Sequence, residues 1–347
     1  MLSVSVVVPI YNAIRTLPSC LTAIERLDPK PLETLLVDNG STDGTLALLC
    51  DFARGHGSRD VKVLEEPRRG AAAARNAGFQ AAKCDVIAFI DSDCAPEPAW
   101  LSYLVEPFSD PRVGAVAGRV VAAPAASTTE LFSALYTLQL PDRPTRSTEW
   151  TPWEGGYVTA NFAIRRSLLM ELNGIDEASV GGTAAGSDYE LCARIYAFGA
   201  DIAYVPEARV AHHHRITLRG LVRQAFDYGE SHAYLISRKL TRGLWVNLPT
   251  HSLSWKGCPT HAWLDLASAD KKVLAVMVLA VLYGPALLLL IPYSVWLVFI
   301  TRRRAVRSGS TVSLTGGIAL AGLLLLKSFA MTVGRWWGSV KYGALCL

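Results

Sequence analysis

The sequence lacks the cysteine patterns of a disulfide framework or a structural zinc site. Its seven cysteines show no CxxC spacing, and their odd number is spread over 347 residues. Such a distribution is typical of free thiols in a reducing compartment, because small disulfide-bonded domains use even and closely spaced sets. We therefore expect the globular part of the protein to lie in the cytosol.

The first residues also lack the features of a secretory signal peptide. The opening decapeptide MLSVSVVVPI has no basic segment, and its apolar core is too short for a signal peptide. Its β-branched run from Val4 to Val8 instead predicts a strand that is buried on both faces of a parallel sheet.

Two further absences exclude whole classes of function. The net charge of +4 is modest, and no basic face interleaved with aromatic residues is present, so nucleic acid is not an expected partner. The arginines concentrate in residues 215–242 and 302–307, a pattern that suits anionic headgroups at a membrane surface. A nicotinamide dehydrogenase needs GxGxxG after the first strand, where this chain has Pro9-Ile10-Tyr11-Asn12.

The N-terminal part of the sequence contains an alternation of short apolar strands and helical segments. Most of these strands end at a polar turn. This order predicts an α/β fold with a mostly parallel, Rossmann-like sheet, in which ligands bind beyond the carboxyl ends of the strands. The predicted strands are Val4 to Val8, Thr34 to Val37, Val61 to Leu64 and Val86 to Ile90.

Acidic and aromatic residues stand at three of these strand ends. Asp91 and Asp93 lie two positions apart and suit a hard divalent cation such as Mg²⁺ or Mn²⁺, although a plain polar turn has the same composition. Asp38 can accept the imide N–H of a pyrimidine base. Tyr11, after the first strand, offers a flat face on which a base can stack.

A third signal is the glycine- and alanine-rich segment that opens a helix at residues 70–78. Helix N-termini favour anions, so Arg75 near the first turn can reach a phosphate group. A solvated arginine on an alanine-rich helix is the structural alternative.

These segments, in this order, resemble the family 2 glycosyltransferases of the GT-A fold over roughly residues 3–230. The resemblance implies a nucleotide-diphosphate sugar as the donor, most simply a UDP-sugar, and Mn²⁺ or Mg²⁺ as the cofactor. It implies donor contacts from Pro9, Tyr11, Asp38, Arg75, Asp91 and Ser92, and metal ligation by Asp91, Asp93 and His212. The motifs that carry it are VSVVVPIYNA, LLVDNGSTDGT, GAAAARNAG and FIDSDC.

The following region is similar to the acceptor half of the same family, although less closely. The resemblance implies that Asn161 lies beside the donor or acceptor sugar and that Asp188 is the catalytic base. Ser187 stands where a glutamate is usual in the family, and Glu190 is a rival base. Helix capping is the structural alternative for Asp188. The motifs are GGYVTANFAIRR and GSDYELCAR.

Long apolar runs are confined to the C-terminal part and contribute to the mean hydropathy of +0.26. Val273 to Ile300 carries no charge and exceeds the ~20 residues that span a bilayer, although Gly284-Pro285 can kink or divide it. A second span is expected at residues 311–333, and a shallow helix in the membrane interface is the alternative. Leu218 to Leu240 is amphipathic and basic, which fits either a membrane-interface helix or a core-packed helix.

We therefore expect a nucleotide-sugar-binding half at residues 1–115, an acceptor and catalytic-base half at residues 116–245, and a membrane anchor at residues 246–347. The implied reaction is an inverting, metal-dependent sugar transfer to a hydroxyl of a lipid-linked or saccharide acceptor. It would take place at the cytoplasmic membrane, with the catalytic domain facing the cytosol. The alternatives are a sugar-phosphate nucleotidyltransferase and a non-catalytic membrane protein that binds nucleotide sugars.

Overall fold

The computed structural model describes residues 2–56, 61–138, 140, 142–151, 154–178, 186–214, 217–238, 243–257 and 261–347. Arg215 and residues 239–242, which belong to the basic and amphipathic segments predicted above, lie outside the described residues. The chain divides into two compact units. The first unit comprises residues 1–123 and 138–213, and the second comprises residues 124–137 and 214–347.

The first unit is built on a sheet that begins with four parallel strands. The strands are β1 (Val4–Ile10), β2 (Glu33–Asp38), β3 (Val61–Glu65) and β4 (Val86–Ile90). The helices between them are α1 (Leu17–Glu25), α2 (Thr45–His56) and α3 (Ala71–Ala81). The spatial order is β3-β2-β1-β4. The predicted α/β fold with a mostly parallel sheet is confirmed.

The chain after β4 extends the same sheet with mixed strands. The next elements are β5 (Cys94–Pro96), α4 (Trp100–Val105), a 3₁₀ helix (Glu106–Ser109), β6 (Val113–Ala122), α5 (Thr128–Tyr136), β7 (Thr145–Ser147) and β8 (Asn161–Arg165). They are followed by α6 (Arg166–Glu171), α7 (Ser187–Ala197) and β9 (Asp201–His212). Of these, α5 belongs to the second unit.

The sheet continues in the order β4-β8-β6-β9-β5, and β7 also pairs with β9. Strand β8 runs antiparallel to both of its neighbours, whereas β6 and β9 are parallel. The predicted boundary at residue 115 therefore falls inside β6. The two predicted halves share one continuous sheet because β8 inserts between strands from both of them.

Strand β1 lies between β2 and β4 in the interior of the sheet and is buried on both faces. Val6 and Val8 pack with α1 on one face, while Val7 packs with α3 on the other. Gly78 of α3 permits this close approach, because a Cβ atom there would lie 2.4 Å from Cγ1 of Val7. The N-terminus of α3, with Arg75, is thereby held at the carboxyl ends of the strands.

The second unit combines a small sheet with the C-terminal helices. Its elements after α5 are α8 (Leu218–Ser237), β10 (Gly243–Asn247), β11 (Ser252–Lys256), β12 (Ala262–Asp265), α9 (Ala269–Leu282), a 3₁₀ helix (Gly284–Leu289), α10 (Leu290–Arg307), α11 (Leu314–Tyr342) and β13 (Leu345–Cys346). The sheet order is β11-β10-β12-β13. Side chains of this sheet, among them Trp245 and Trp263, belong to a buried hydrophobic cluster.

Helix α8 packs along the C-terminal half of α11 at very short range. A Cβ atom at Gly334 would lie 2.1 Å from the carbonyl oxygen of Phe226, and one at Gly229 would lie 2.0 Å from that of Met331. Glycine at these positions lets the two backbones approach, as small residues do between membrane helices. Of the two interpretations of the amphipathic segment, the structure supports a packed helix.

We expect Gly334→Ala to destabilise the second unit, because the added methyl group must displace the backbone of α8. Overpacking of this kind costs about 1–3 kcal/mol. The measurement is thermal unfolding of the detergent-solubilised protein. Gly322→Ala on the same helix is the matched control, since a Cβ atom there meets nothing within 4 Å. Equal melting temperatures for the two variants would contradict the close packing.

Among the described residues, two helical segments are long and apolar enough to cross a membrane. They are Gly284–Arg307 and Leu314–Tyr342, whose apolar 18-residue windows have mean hydropathies of 1.9 and 1.7. Only 17% and 33% of their apolar windows are buried, so most of their surface is not covered by described residues. This exposure fits a membrane anchor.

The first span differs from the predicted range of residues 273–300. Helix α9 ends at Leu282, and Tyr283 leaves the helical conformation with φ −143° and ψ 92°. Pro285 then stands near the start of the 3₁₀ helix, where its missing N–H is not needed. The uncharged run is thus two helical segments, and the candidate span begins at Gly284.

Candidate active site at the carboxyl ends of the strands

The loops that follow β1 and β2 are joined by side-chain hydrogen bonds. The Oδ1 atom of Asn12 accepts from the backbone N–H of Thr42 at 2.8 Å, and the N–H of Asn12 donates to Oγ of Ser41 at 3.0 Å. Asn12 has φ +47°, a left-handed conformation that asparagine tolerates better than most residues. This joint fixes Tyr11 relative to the turn after Asp38.

Asp38 is 2% exposed at the end of β2. Its Oδ2 atom accepts from the backbone N–H groups of Gly40 at 3.1 Å and Ser41 at 3.0 Å. Its Oδ1 atom has no hydrogen-bond partner among the described residues. A buried acceptor without a partner costs about 1–3 kcal/mol, so this oxygen is suited to a donor that a ligand brings.

Tyr11 is 52% exposed, and its ring is covered on one face by a cation. The guanidinium carbon of Arg69 lies 4.7 Å from the ring centroid. Because Tyr11 and Arg69 are far apart along the chain, this contact leaves no local signal in the sequence. Pro9 differs from Tyr11, since it is a buried strand residue paired with Val37, and its ring is not on the surface of the cleft.

Arg75 is buried beneath the strand ends and forms an ion pair with Asp91. Its Nη2 atom donates to Oδ1 of Asp91 at 2.6 Å, while Nε and Nη1 have no partner among the described residues. Burial opposes the charge of Arg75, but Asp91 and Asp188 outweigh it, so the pKa of Arg75 lies above its ordinary value. The guanidinium is therefore a fixed positive charge, and a solvated arginine is not what the structure shows.

Asp93 meets His212 because β5 pairs with β9. The pairing sets Cys94 opposite His212, and Nε2 of His212 lies 3.5 Å from Oδ1 of Asp93. Ligand atoms of Asp93, Cys94 and His212 all lie within 4.8 Å of one another. A carboxylate and an imidazole form a donor set that Mn²⁺ accepts more readily than the oxygen-preferring Mg²⁺.

The other members of the predicted metal motif have different surroundings. Asp91 uses Oδ1 for Arg75 and keeps Oδ2 for another partner. Ser92 is partly exposed in the turn between the two aspartates. Burial raises the pKa of the Cys94 thiol, and the Asp93 charge acts in the same direction, so these surroundings favour the neutral thiol.

Asp188 lies in the first turn of α7, and two donors orient its carboxylate. The hydroxyl of Thr159 donates to Oδ1 at 2.9 Å and the backbone N–H of Thr159 to Oδ2 at 3.3 Å, while the Ser187 hydroxyl is 3.4 Å from Oδ1. The residue before α7 is Gly186, which makes no side-chain cap. The capping interpretation of Asp188 is therefore not supported.

Burial raises the pKa of Asp188, although the positive charge of Arg75 opposes this effect. The Asp91 charge raises the pKa further, and the hydrogen bonds from Thr159 lower it. These interactions show that Asp188, Arg75 and Asp91 share one electrostatic environment. A carboxylate with a raised pKa is a better proton acceptor than a solvated one.

Glu190, the rival base, is fully buried in an ion pair. Both of its carboxylate oxygens lie 2.8 Å from Nε of Arg194, and Arg194 also donates to the carbonyl oxygens of Leu172 and Gly174. This pair ties α7 to the turn after α6. Glu190 therefore serves as one side of a buried ion pair.

Asn161 does not lie where the resemblance implied. It is 0% exposed, its Nδ2 donates to the carbonyl oxygens of Arg119 and Ala208, and its Oδ1 accepts from Nε1 of Trp100 at 2.7 Å. These three bonds use its amide donors and its carbonyl within the sheet. The predicted sugar contact of Asn161 therefore has to be corrected. This side chain links β8 to β6 and β9.

Comparisons with known proteins identify the family of the chain. The profile of "Glycosyl transferase family 2" matches residues 5–172. The pre-mycofactocin glycosyltransferase of Mycobacterium tuberculosis is 33% identical over 290 residues, which cover 81% of this chain and 56% of that protein. The chain thus spans about half the length of this relative.

Two further proteins bear on the fold and on a local segment. The undecaprenyl-phosphate 4-deoxy-4-formamido-L-arabinose transferase of Aeromonas hydrophila is 39% identical over 107 residues, 30% of this chain and 32% of that protein. The solved mannosyltransferase PcManGT from Pyrobaculum calidifontis, in complex with GDP-Man and Mn²⁺, has a TM-score of 0.62 at 21% identity and covers 97% of this chain and 87% of that one. This likeness shows the GT-A fold.

Proposed function

Because residues 5–172 belong to glycosyl transferase family 2, we propose that the chain is a glycosyltransferase that transfers a sugar with inversion from a UDP-sugar to an acceptor hydroxyl. The observation that carries the proposal is the arrangement of Asp38, Arg75, Asp93 and Asp188 at the carboxyl edge of one sheet. Each offers a different chemistry there: an acceptor for a base, a cation, a metal ligand and a proton acceptor. The four side chains are the parts that such a transfer needs.

The donor nucleotide binds at the ends of β1 and β2 in this proposal. The free Oδ1 of Asp38 accepts the N3–H of uracil, and the exposed ring of Tyr11 packs on the base. Arg69, which now covers Tyr11, either sandwiches the base or moves aside. The unused Nε and Nη1 groups of Arg75 point to a further anionic partner, which a diphosphate supplies.

The diphosphate end of the donor lies near Asp93 and His212. These two residues would hold Mn²⁺ or Mg²⁺, with Asp91 contributing its free oxygen. The metal supplies positive charge that stabilises the departing diphosphate. Arg75 keeps Asp91 oriented and adds a second positive charge to the same region.

Asp188 is the general base of the proposed reaction. It takes the proton of the acceptor hydroxyl while the new bond from that oxygen to the anomeric carbon forms and the bond from the anomeric carbon to the diphosphate breaks. Attack from the face opposite the diphosphate inverts the configuration. Thr159 holds the carboxylate in place, a task that the Ser187 hydroxyl shares at longer range.

The acceptor belongs at the cytoplasmic membrane in this proposal. The two exposed apolar helices supply an anchor, and nucleotide-sugar donors suit a catalytic unit that faces the cytosol. One relative is named as a transferase to undecaprenyl phosphate, which favours a lipid-linked acceptor over a free saccharide. Neither alternative class is favoured by a specific observation, because Asp188 is oriented despite the serine at position 187.

The experiment that tests the proposed function is a transfer and hydrolysis assay with a panel of nucleotide sugars in the presence of Mn²⁺. We expect release of UDP from at least one UDP-sugar, and faster release when a membrane extract supplies acceptor. Release of diphosphate from UTP and a sugar phosphate, without release of UDP from any donor, would favour a nucleotidyltransferase instead.

Asp38→Asn tests the base contact through a change of preference. The asparagine must keep its oxygen toward the N–H groups of Gly40 and Ser41, so its NH₂ group faces the base. The N3–H of uracil then faces this NH₂ group, which is also a donor. Atom N3 of cytosine, in contrast, can accept a hydrogen bond from it. We expect wild-type protein to prefer UDP and the variant to lose that preference by roughly tenfold or more, as charge-assisted hydrogen bonds predict. Calorimetric titration with UDP and CDP measures this, and an unchanged ratio would remove Asp38 from the base site.

Thr159→Val tests how Asp188 is held. Loss of the hydroxyl donor favours the protonated carboxyl, so the pKa of Asp188 rises further. As the pH is lowered, the variant therefore loses activity at a higher pH than the wild type does. We expect kcat/KM to drop several-fold at pH 6 and less at pH 8, as one neutral hydrogen bond predicts. Thr159→Ser keeps the hydroxyl and should restore the wild-type profile. A uniform loss at all pH values would indicate a purely structural role.

A further inference from the structure

The second unit contains a cavity of about 280 Å³ between the start of α9 and the facing sides of α10 and α11. Its volume is near the lower end of the range for small-molecule sites, roughly 300 Å³. Polar groups occupy part of its wall, and aliphatic or aromatic side chains form the rest. Its lining includes Lys272, Tyr293, Trp296, Leu297, Leu324 and Lys327.

The two lysines of this cavity lack the carboxylate partners that the neighbouring cations have. Helices α9 and α11 carry five lysine or arginine side chains. Three of them lie close to a carboxylate: Lys271 with Asp270 at 3.8 Å, Arg335 with Asp265 at 2.8 Å, and Lys341 with Glu230 at 2.7 Å. Lys272 and Lys327 have no such partner in the described part of the chain. The two cations of these helices that lack a carboxylate partner among the described residues, Lys272 and Lys327, therefore both line the cavity.

Each ammonium group retains donors for a ligand. Nζ of Lys272 donates to the carbonyl oxygen of Ala267 at 2.9 Å and lies 5.5 Å from the ring centroid of Trp296. Nζ of Lys327 donates to the carbonyl oxygen of Tyr136 at 2.7 Å, beside the ring of Phe132. An ammonium group has three donors, so each lysine has two left over.

Lys327 is not a lysine that extends freely to an interface. It follows an apolar stretch of α11 that ends at Leu326, and the carbonyl of Tyr136 in α5 holds its ammonium group. An ionisable residue inside an apolar span is costly and marks a functional site by default. The nearby Asp270 does not neutralise it, because that carboxylate binds Ser328 and Thr332 and lies beside Lys271.

The wall of the cavity favours an anion that carries an apolar tail. Trp296 is 45% exposed at its rim, and Phe299, about one turn further along α10, is exposed as well. A soluble anion gains nothing from contact with exposed apolar side chains, whereas the chains of a lipid can pack along this apolar side of α10. Phosphate accepts several hydrogen bonds at once and pairs with lysine as a point charge.

We propose that this cavity binds the phosphate group of an anionic membrane lipid. Lys272 and Lys327 donate to the phosphate oxygens, and the lipid chains lie against the exposed apolar residues of α10. The proposal does not depend on the identity of the donor sugar, and it assigns a ligand to a part of the chain that the transfer reaction does not use. An anionic phospholipid and a polyisoprenyl phosphate share the chemistry.

The test is lipid binding by the full-length protein in detergent, measured by native mass spectrometry without nucleotide sugar. The probes are phosphatidylglycerol, a polyisoprenyl phosphate and the neutral-headgroup lipid phosphatidylcholine. We expect one or both anionic lipids to bind more tightly than phosphatidylcholine, and the tighter of the two identifies the source of the phosphate. Equal retention of all three lipids would overturn the proposal.

Variants separate the cavity from general surface charge. Lys272→Met and Lys327→Met should each weaken binding of the anionic lipid by roughly tenfold, the effect of one lost charge-assisted hydrogen bond. Lys272→Arg should retain most of the binding. Arg303→Met removes the same charge from an exposed position of α10 and should leave binding unchanged. An equal loss in Arg303→Met would attribute binding to net charge and overturn the proposal, while a failed transfer assay would leave this result unaffected.

Discussion

Asp188→Asn is expected to lower kcat by about 10²- to 10⁴-fold while the affinity for UDP stays the same. The amide has the shape of the carboxylate and can still accept the hydrogen bond from the Thr159 hydroxyl, while only the longer bond from the Thr159 N–H is lost. What it loses is the ability to take the proton of the acceptor hydroxyl. Steady-state transfer kinetics and a UDP titration on the same sample separate the two effects.

Glu190→Gln is the matched control for this experiment. It removes a carboxylate from the same helical turn, but one that is buried against Arg194. We expect a lower melting temperature, because Arg194 is left with a weaker partner, and near-normal kcat for the folded fraction. The opposite pattern, an inactive Glu190→Gln and an active Asp188→Asn, would transfer the role of base to Glu190.

Asp93→Asn is expected to reduce kcat/KM by roughly 10²- to 10³-fold, in the range found when a single charge-stabilising group is removed from an active site. The reason is that Asp93 is the carboxylate nearest to His212, whereas Asp91 is already bound to Arg75. The stabilisation of the protein by Mn²⁺ in the presence of UDP should disappear in the same variant. Activity and thermal unfolding with and without Mn²⁺ measure both effects.

Cys94→Ala provides the control for the metal site. Its sulfur lies in the same group of potential ligand atoms, but the thiol is buried and its pKa is raised by that burial. We expect the alanine variant to keep its response to Mn²⁺. A loss of that response in Cys94→Ala, with Asp93→Asn unaffected, would mean that the metal is held by other residues.

The parts of the fold that could be predicted are those with a local signal. Runs such as Val4 to Val8 end at polar turns, and a parallel sheet brings such turns to one edge, so the α/β class followed from short segments. The placement of Asp38 at the end of β2 depended on the same rule. The likeness to a known family added the order in which these segments occur.

The errors concern contacts between residues that are distant in sequence. Asn161 was expected beside a sugar, yet its partners Trp100 and Ala208 lie 61 and 47 positions away and hold it in the sheet. Nothing around Asn161 in the sequence distinguishes the two roles. Thr159 was missed as the residue that orients Asp188 for the same reason, since 29 positions separate them.

The first membrane span shows a different limit. The uncharged run from Val273 to Ile300 shows how many residues could span a membrane, but it does not show their backbone conformation. Tyr283 with Gly284-Pro285 interrupts the helix in the middle of that run. The Gly-Pro pair was a visible signal of a kink or a division. Its consequence, a span that starts at Gly284 and extends to Arg307, depends on packing that hydropathy does not describe.

The most direct test of the central claim is the coupling between UDP and Mn²⁺ on the wild-type protein, measured by calorimetric titration of each in the absence and presence of the other. If Asp38, Arg75 and Asp93 serve one cleft, Mn²⁺ should raise the affinity for UDP by roughly tenfold or more, and UDP should raise that for Mn²⁺ by the same factor, as linkage requires. An affinity for UDP that is unchanged by saturating Mn²⁺ would contradict the account.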